Sequence, residues 1–367
     1  MPTRRTVRAR LTSRRVAQRG SAIISVLLVV ALSVMLVASI LWRQQVQLRR
    51  IENQWLLAQA QWVTRGTIDW TRLMLRSEGE TSTGITYLGG AWANPIARTS
   101  LSDLLGQTGG APDSRSSAIW LSGSIEDAQA RFNLRNLVAN SPSGMLQLNI
   151  SQIQAFQRLL QLLGMNGQLA KNAAVYLRAG LAHSATRFQV VGTGNNGTSG
   201  TLPQIMGGST LANGPGLADD DNHNTVEPLM MTDVDALLNV PGFTPAMIER
   251  LRPFVTVLPT ATPVNMNTAP AEVIAAVVPG MNLVVAQAFV ARRQAVFFRN
   301  MGDVQLALGG TGLPNVQVDS TQCSVDTNYF FIHSRIQYER AEVDRTTLVW
   351  RDSQPYYTTR IVRVRDA

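Results

Sequence analysis

Carboxylates in one short segment are spaced so that they could bind a calcium ion. Asp219 and Asp221 alternate within an acidic run, and Glu227 follows shortly after. Calcium takes several oxygen ligands, and alternating acidic side chains are one way in which a loop supplies them. The segment lacks the glycine and the later glutamate of an EF-hand loop. Structural calcium held by Asp219, Asp221 and Glu227 is one prediction, and a solvated acidic turn is the alternative.

Groups that support catalysis are sparse elsewhere. The three histidines are far apart in the sequence, and no His-Glu-x-x-His, Gly-x-Ser-x-Gly or Gly-x-x-x-x-Gly-Lys motif occurs. A Gly192-x-Gly194-x-x-Gly197 pattern is present, but a dinucleotide site requires that a helix begin there. The chain continues instead through Pro203 with residues that start a helix poorly. The sequence therefore predicts that the protein is not an enzyme.

Most of the net charge lies at the amino terminus. The chain has 33 basic and 24 acidic residues, which gives a net charge of +9. Seven arginines and no acidic residue lie in residues 1–20, so residues 21–367 carry 26 basic against 24 acidic side chains. The total therefore does not indicate a basic surface for nucleic acid. The single cysteine, Cys323, excludes an internal disulfide framework.

A membrane-spanning helix is predicted directly after this basic segment. Residues 21–42 contain no charged side chain and are rich in Val, Leu, Ile and Ala. A helix of this length can cross a bilayer. The seven arginines before the span outnumber the three that follow it closely, and this bias predicts a cytoplasmic amino terminus.

Residues 43–76 are predicted to continue the same helix outside the membrane. Large apolar side chains recur on one face of it and are expected to pack against a head domain. This stripe consists of Trp55, Trp62, Trp70 and Leu73. Residues 77–113 are rich in Gly, Ser, Thr and Pro and predict a connection.

The remainder of the chain predicts helices followed by strands. Residues 151–182 have helical periodicity, and the last 40 residues have strand patterns. Alternate residues from Phe330 to Tyr338 are expected to be buried on one face of a strand. An antiparallel sheet packed on the amino-terminal helix is the simplest assembly of these elements.

The start of the apolar run resembles the class III leader of type IV pilins and pseudopilins. Gln18-Arg19-Gly20 precedes Ser21, and the helix opens with Ala22-Ile23-Ile24-Ser25. In that family a prepilin peptidase cuts after the glycine and retains the helix, which implies cleavage between Gly20 and Ser21. Ser25 stands where most subunits carry a glutamate that pairs with a neighbouring subunit's terminal ammonium. The assembly contact made by that carboxylate is therefore absent from this chain.

Two internal segments extend the resemblance to one family. The segment from Ile125 to Leu137 and the Asn265-Met266-Asn267-Thr268-Ala269 element are both similar to stretches of type II secretion system protein K, a family of minor pseudopilins. That family also lacks the glutamate at the position of Ser25. The resemblance covers nearly the whole chain.

Two Pro-Gly turns leave a second function open. Pro241-Gly242 and Pro279-Gly280 lie between predicted short helices and resemble helix-hairpin-helix and SAM-like folds. Such hairpins bind DNA backbones, so a membrane-anchored DNA receptor of the competence type is the alternative. Few basic residues lie nearby, and these are Arg292, Arg293 and Arg299. A structural role for the hairpins is therefore the preferred interpretation.

The resemblance implies an α+β fold of the pilin type. A long amino-terminal transmembrane helix packs on an antiparallel sheet, which a large helical insertion domain interrupts. The implied divisions are a leader at 1–20, a transmembrane helix at 21–42, its periplasmic continuation at 43–76, the first part of the head at 77–137, the helical insertion at 138–318 and the last strands of the sheet at 319–367.

The same resemblance implies a function in assembly rather than turnover. The chain is expected to form the tip complex of the pseudopilus and to prime its growth for protein export across the outer membrane. The implied partners are minor pseudopilins I and J, the major pseudopilin and the prepilin peptidase, with no nucleic acid. The implied location is the inner membrane, with one span and most of the chain in the periplasm.

Overall fold

The computed structural model describes most of the chain, with gaps. The described residues are 19–107, 116–140, 145–189, 228–310 and 317–366. Eight α-helices lie in these ranges: α1 Arg19–Ser82, α2 Leu101–Gln107, α3 Ile150–Leu162, α4 Leu169–Gln189, α5 Pro245–Leu251, α6 Ala271–Val277, α7 Leu283–Ala295 and α8 Met301–Gly309. Eleven strands accompany them there: β1 Ile96–Ser100, β2 Ile119–Asp127, β3 Phe132–Asn133, β4 Val138–Asn140, β5 Leu146–Leu148, β6 Val255–Thr256, β7 Val264–Asn265, β8 Cys323–Ser324, β9 Tyr329–Tyr338, β10 Ala341–Arg351 and β11 Thr359–Asp366.

The chain divides into two compact units, residues 1–59 and 60–367. In the first unit, every side chain from Ile23 to Trp55 is exposed. Two hydroxyls in the span bond to backbone carbonyls of the same helix, Ser33 to Val29 at 2.8 Å and Ser39 to Leu36 at 2.9 Å. Hydroxyls satisfied in this way are compatible with hydrocarbon. Among the described residues, α1 is the helix long and apolar enough to cross a membrane.

In the second unit, α1 has one buried face made of small and medium side chains. The buried positions recur every three or four residues, as helical geometry requires. They are Ala60, Thr64, Ile68, Thr71, Leu75 and Gly79. The two threonines are tolerated there because each hydroxyl bonds to a backbone carbonyl one turn earlier, at 2.8 Å and 2.7 Å.

The predicted tryptophan stripe is therefore wrong as a packing face. Trp62 is 68% exposed and Leu73 is 63% exposed, Trp55 is exposed as well, and Trp70 alone of the four is partly buried. The buried face instead combines the small side chains of Ala60, Thr64, Thr71 and Gly79 with Ile68 and Leu75. Small side chains at these positions allow a helix to approach its neighbour closely. The indole of Trp62 lies under the guanidinium of Arg65, whose Cζ is 5.1 Å from the ring centroid.

The helix also ends later than predicted, at Ser82 rather than at residue 76. An ion pair between Arg76 and Glu80, 3.0 Å long, supports the last turns. The hydroxyls of Thr81 and Ser82 bond back to carbonyls four residues earlier, which makes these residues compatible with a helix. The interpretation of residues 77–113 as a plain connection is also wrong, because β1 and α2 lie within them.

Five antiparallel strands form the sheet, in the order β1-β2-β9-β10-β11. The predicted alternation in β9 is confirmed: Phe330, Ile332, Ser334, Ile336 and Tyr338 are all buried. One face of the sheet packs on α1 through a core that contains Leu75, Trp92 and Val349. The rings of Trp92 and Phe330 meet edge to face in this core, with centroids 5.6 Å apart. A long amino-terminal helix packed on an antiparallel sheet is thus confirmed.

A second and larger core lies among the helices. Phe132, Phe156, Ile274 and Phe289 are fully buried within it. Two short parallel strand pairs accompany this core, β3 with β6 and β7 with β8. Because residues 60–367 form one compact unit, their predicted division into a head and an insertion stays a prediction.

Candidate functional site

The predicted leader site lies at the start of α1. Because the helix begins at Arg19, Gly20 and Ser21 belong to its first turn. Ser25 follows one turn later and is exposed. Residues 1–18 lie outside the described residues, and cleavage between Gly20 and Ser21 stays a prediction.

The predicted calcium ligands also lie outside the described residues. Asp219, Asp221 and Glu227 belong to the undescribed range 190–227, as does the glycine pattern that begins at Gly192. Calcium bound by these three side chains therefore stays a prediction. Within the described ranges, no group of three or more His, Cys, Asp or Glu side chains is arranged to hold a metal ion.

Both predicted hairpin glycines occupy tight turns. Gly242 follows Pro241 and has a φ of +96°, and Gly280 follows Pro279 and has a φ of +79°. Only glycine adopts such angles readily, which explains its presence at both turns. Of the nearby basic side chains, Arg293 is buried and donates to the carbonyl of Met266 at 2.8 Å. Its guanidinium is therefore committed to the interior rather than to a surface that could meet DNA.

The most concentrated polar chemistry of the described residues surrounds Asp127, at the end of β2. Its carboxylate is 2% exposed and accepts four hydrogen bonds. Oδ1 accepts from the backbone N–H of Gln129 at 2.8 Å. Oδ2 accepts from Asn265 Nδ2 at 2.9 Å, Thr268 Oγ1 at 2.6 Å and Thr327 Oγ1 at 2.7 Å. One carboxylate thus joins β2 to β7, to the turn before α6 and to the start of β9.

Three further buried asparagines imitate backbone groups, and one of them, Asn267, is joined to the Asp127 network through Asn265. Asn267 donates to the carbonyl of Phe298 and accepts from its N–H, both at 2.9 Å. Asn136 makes the same reciprocal pair with Thr262, at 2.7 and 2.9 Å. Asn133 accepts from the N–H of Leu258 at 3.1 Å and donates to the carbonyl of Thr260 at 2.8 Å. Each amide therefore completes the hydrogen bonds of a buried, irregular stretch of chain.

Arg351 brings a buried cation to the same region. It is 1% exposed and donates to the carbonyls of Leu75 and Thr327, each at 3.1 Å, and to Thr86 Oγ1 at 3.0 Å. Its guanidinium also lies over the ring of Phe330, 4.8 Å from the centroid. The side chain thus ties the last turns of α1 to the sheet.

Burial shifts the ionisation of these groups. It raises the pKa of the Asp127 carboxyl, and the hydrogen bonds donated to that carboxyl oppose the rise. Burial lowers the pKa of Arg351 and lowers that of Arg293 to about 10, while the charge of Asp127 acts in the opposite direction on both. Burial also raises the pKa of Cys323 to about 12, so this thiol is protonated and unreactive at neutral pH.

The network was not predicted, although the sequence held a partial signal for it. Asp127 lies in the segment from Ile125 to Leu137, and Asn265 and Asn267 lie in the second segment that resembles the family. The partial signal consists of a carboxylate at the end of a strand and of two asparagines that lie between prolines. Nothing in the sequence distinguishes Arg351 from the exposed arginines of neighbouring strands.

Comparison with known proteins gives consistent results. Two family models, both described as type II secretion system protein K, match residues 130–260 and 264–326. These segments of 131 and 63 residues together cover more than half of the 367-residue chain. The type II secretion system protein K of Pseudomonas aeruginosa is 28% identical over 346 residues, which are 90% of this chain and 88% of that protein.

The fold is similar to that of a solved structure. A chain of the crystal structure of the GspK-GspI-GspJ complex from the enterotoxigenic Escherichia coli type 2 secretion system aligns with a TM-score of 0.57 at 18% identity. The alignment covers 87% of this chain and 99% of that one. Asn133 and Asn136 belong to the segment that the first family model matches, and Asn265, Asn267 and Thr268 to the segment that the second matches, whereas Asp127 lies just before the first segment and Thr327 just after the second. The chain therefore belongs to the type II secretion system protein K family, a family of minor pseudopilins.

Proposed function

We propose that this chain is the tip subunit of a pseudopilus and that it primes the growth of the fibre during protein export across the outer membrane. The observation that carries the proposal is helix α1, in which a wholly exposed apolar segment continues into a segment that packs on the sheet. A subunit of this form is stored in a membrane by its span and enters a fibre through the same helix. Ser25 in place of a carboxylate suits a first subunit, which has no neighbour ahead of it.

Size supports a position at the end of the fibre. Residues 83–367 follow the long helix, and a head of this size would crowd the shaft of a fibre but not its end.

We further propose that the protein resides in the inner membrane with the basic leader in the cytoplasm, as the excess of arginine before the span favours. The role is in assembly rather than catalysis. The relatives are secretion components, so the alternative of a DNA receptor is not supported.

The leader provides the first test of maturation. When the full chain is co-expressed with a prepilin peptidase, intact-mass analysis should show the loss of residues 1–20, because the bond after Gly20 has the features of a class III leader. A Gly20→Val variant should keep the full mass, whereas Gly66→Val, which changes a glycine in the same helix far from the bond, should be processed normally. A full-length product for the unaltered chain would contradict the proposal. A cut near Ser39 would contradict it as well, because a secretory signal peptide is cut at small residues after its apolar segment and loses that segment.

Partners provide the second test. The solved relative is a complex with GspI and GspJ, and we propose that the corresponding minor pseudopilins I and J bind this chain along α1, with the major pseudopilin below them. A photo-crosslinking residue at Leu73, which is exposed on α1, should form adducts with subunits I or J in membranes. The same residue at Leu306, which is 72% exposed on α8, is the matched control and should form fewer. Equal yields at both positions would count against binding along α1.

A further inference from the structure

A cavity of about 370 Å³ opens beside the turn that follows α1. A volume of this size is typical of sites for small molecules. Three stretches of chain and two further residues line it, namely 83–85, 325–328, 351–354, Arg299 and Tyr357. The stretches come from the turn after α1, from the chain that enters β9 and from the chain that leaves β10. The cavity therefore lies where the end of the long helix meets the sheet.

Arg351, which lines this cavity, is a buried cation without a counter-ion. It is 1% exposed, and its hydrogen bonds go to two carbonyls and one hydroxyl, all of them uncharged. Burial lowers the pKa of Arg351, and the charges of Asp127, Glu78 and Asp326 oppose this effect. In the described part of the chain, none of these carboxylates lies within ion-pair distance of the guanidinium. Because buried charges are normally paired, this part of the cavity suits an anionic group.

Tyr357 places a second unused donor at the cavity. The residue is 5% exposed, and its hydroxyl is buried without a hydrogen-bond partner among the residues that the structure describes. The hydroxyl lies close to the cavity wall, because a Cβ on Gly84, another lining residue, would be 3.3 Å from it. Tyr357 also interacts electrostatically with Arg351. An unbonded buried hydroxyl is unfavourable, and an acceptor from a ligand would remove that cost.

Carboxylates supply the opposite charge at the same cavity. Asp352 accepts from the backbone N–H of Ser353 at 2.9 Å, and Asp326 accepts from the hydroxyl of Ser324. Within the described ranges, neither carboxylate is in an ion pair, and Arg299 is in none either. The lining thus contains two arginines and two carboxylates, so it is neutral overall. A ligand of one charge would be attracted by one pair and repelled by the other, whereas a ligand with both charges would satisfy both.

We propose that this cavity binds a small zwitterion of the amino acid type, with its carboxylate beside Arg351 and Tyr357. Its ammonium group lies beside Asp352, and an apolar side chain contacts Ile85 and Val325, which also line the cavity. A metal cation would be repelled by the two arginines, and an inorganic anion would leave the carboxylates without partners. The proposal does not depend on the tip role or on the processing of the leader.

Titration calorimetry on the full chain tests the need for both charges. The protein is kept in a polyoxyethylene detergent, which carries neither charge nor sugar, and the probe is leucine. Two analogues match the probe in shape: 4-methylpentanoate lacks the ammonium group, and 3-methylbutylamine lacks the carboxylate. We expect leucine to bind and each analogue to bind at least about tenfold more weakly, since each loses one set of charge-assisted contacts.

Two variants test the lining residues. Tyr357→Phe should weaken the binding of leucine about tenfold without lowering the melting temperature of the free protein, because the hydroxyl has no partner to lose. A hydroxyl with a merely structural role would have the opposite effects. Asp352→Asn keeps the oxygen that accepts from Ser353 and should also weaken binding about tenfold, since it removes the charge opposite the ammonium group.

The matched control is Asp344→Asn, which neutralises a carboxylate of β10 outside the cavity and should leave the affinity unchanged. Four results would overturn the proposal. These are the absence of leucine binding, equal binding of leucine and either analogue, unchanged affinity in both cavity variants, and displacement of leucine by an equal concentration of glucose, which would indicate a site for an uncharged polyol.

Discussion

Replacing Asp127 with asparagine should lower the free energy of unfolding by about 2 to 4 kcal/mol. The N–H of Gln129 bonds to one carboxylate oxygen and the NH₂ of Asn265 bonds to the other, and neither donor can turn to become an acceptor. The amide of Asn265 is held in its orientation because its own oxygen accepts from the N–H of Asn267 at 2.9 Å. The new NH₂ group would therefore face a donor in either orientation, at a residue that is only 2% exposed.

Chemical denaturation of the full chain in detergent measures this loss. The matched control is Asp344→Asn on β10, because Asp344 is partly exposed and lies 3.3 Å from the exposed Arg335. A surface pair of this kind contributes about 0 to 1 kcal/mol. If the two variants were equally stable, the carboxylate of Asp127 would not have the central structural role that its four hydrogen bonds indicate.

Arg351→Met should lower the free energy of unfolding by about 3 to 5 kcal/mol, since removing one member of a buried charged network leaves its partners unpaired. The methionine fills much of the volume, but the carbonyls of Leu75 and Thr327 lose their donors, and Asp127 loses a nearby positive charge. Arg351→Lys keeps the charge and should recover only part of the stability. A single ammonium does not reproduce the planar set of donors that contacts three separate segments.

Limited proteolysis distinguishes the loss of the contact between Arg351 and α1 from a general loss of packing, because it reports where the chain becomes accessible. Because Arg351 bonds to Leu75 near the carboxyl end of α1, the methionine variant should be cleaved earlier near Ser82 than elsewhere. Arg335→Met, on the neighbouring strand and 62% exposed, is the control and should behave like the unaltered chain. Cleavage that is uniform along the methionine variant would argue against a specific tie between α1 and the sheet.

Regular patterns in the sequence predicted the regular parts of the fold. The alternation in β9 follows from the fixed two-residue period of a strand, and the apolar run predicts the long helix because a bilayer demands that length. The face of α1 that packs on the sheet was mispredicted because the large tryptophans were taken as the packing residues, whereas the buried face combines Ile68 and Leu75 with small side chains. Ala60, Thr64 and Thr71 are buried, whereas the larger Trp62 is exposed and is covered by an arginine.

The polar network could not be derived from the sequence because its members interact across long separations. The sequence does not distinguish a buried asparagine such as Asn136 from an asparagine in an exposed turn. The difference lies in the distant segment to which the buried side chain is hydrogen-bonded, here at Thr262. The family resemblance located the right segments without indicating what their polar residues do. Residues 190–227 lie outside the described residues, so calcium at Asp219, Asp221 and Glu227 stays a prediction.

Hydrogen bonds between parts of the chain that are far apart in the sequence also determine when the protein can fold. Asp127 and its partner Thr327 are 200 residues apart, Leu75 and Arg351 are 276 apart, and Arg72 donates to the carbonyl of Thr359 across 287 residues. Because the ribosome makes the earlier member of each pair first, the earlier segments lack their hydrogen-bond partners during most of synthesis. Closing such large loops is slow because their entropy must be overcome before the contacts form. During that interval the buried face of α1 and the edge of β2 are open to proteases and to wrong partners, and the last 40 residues end this exposure.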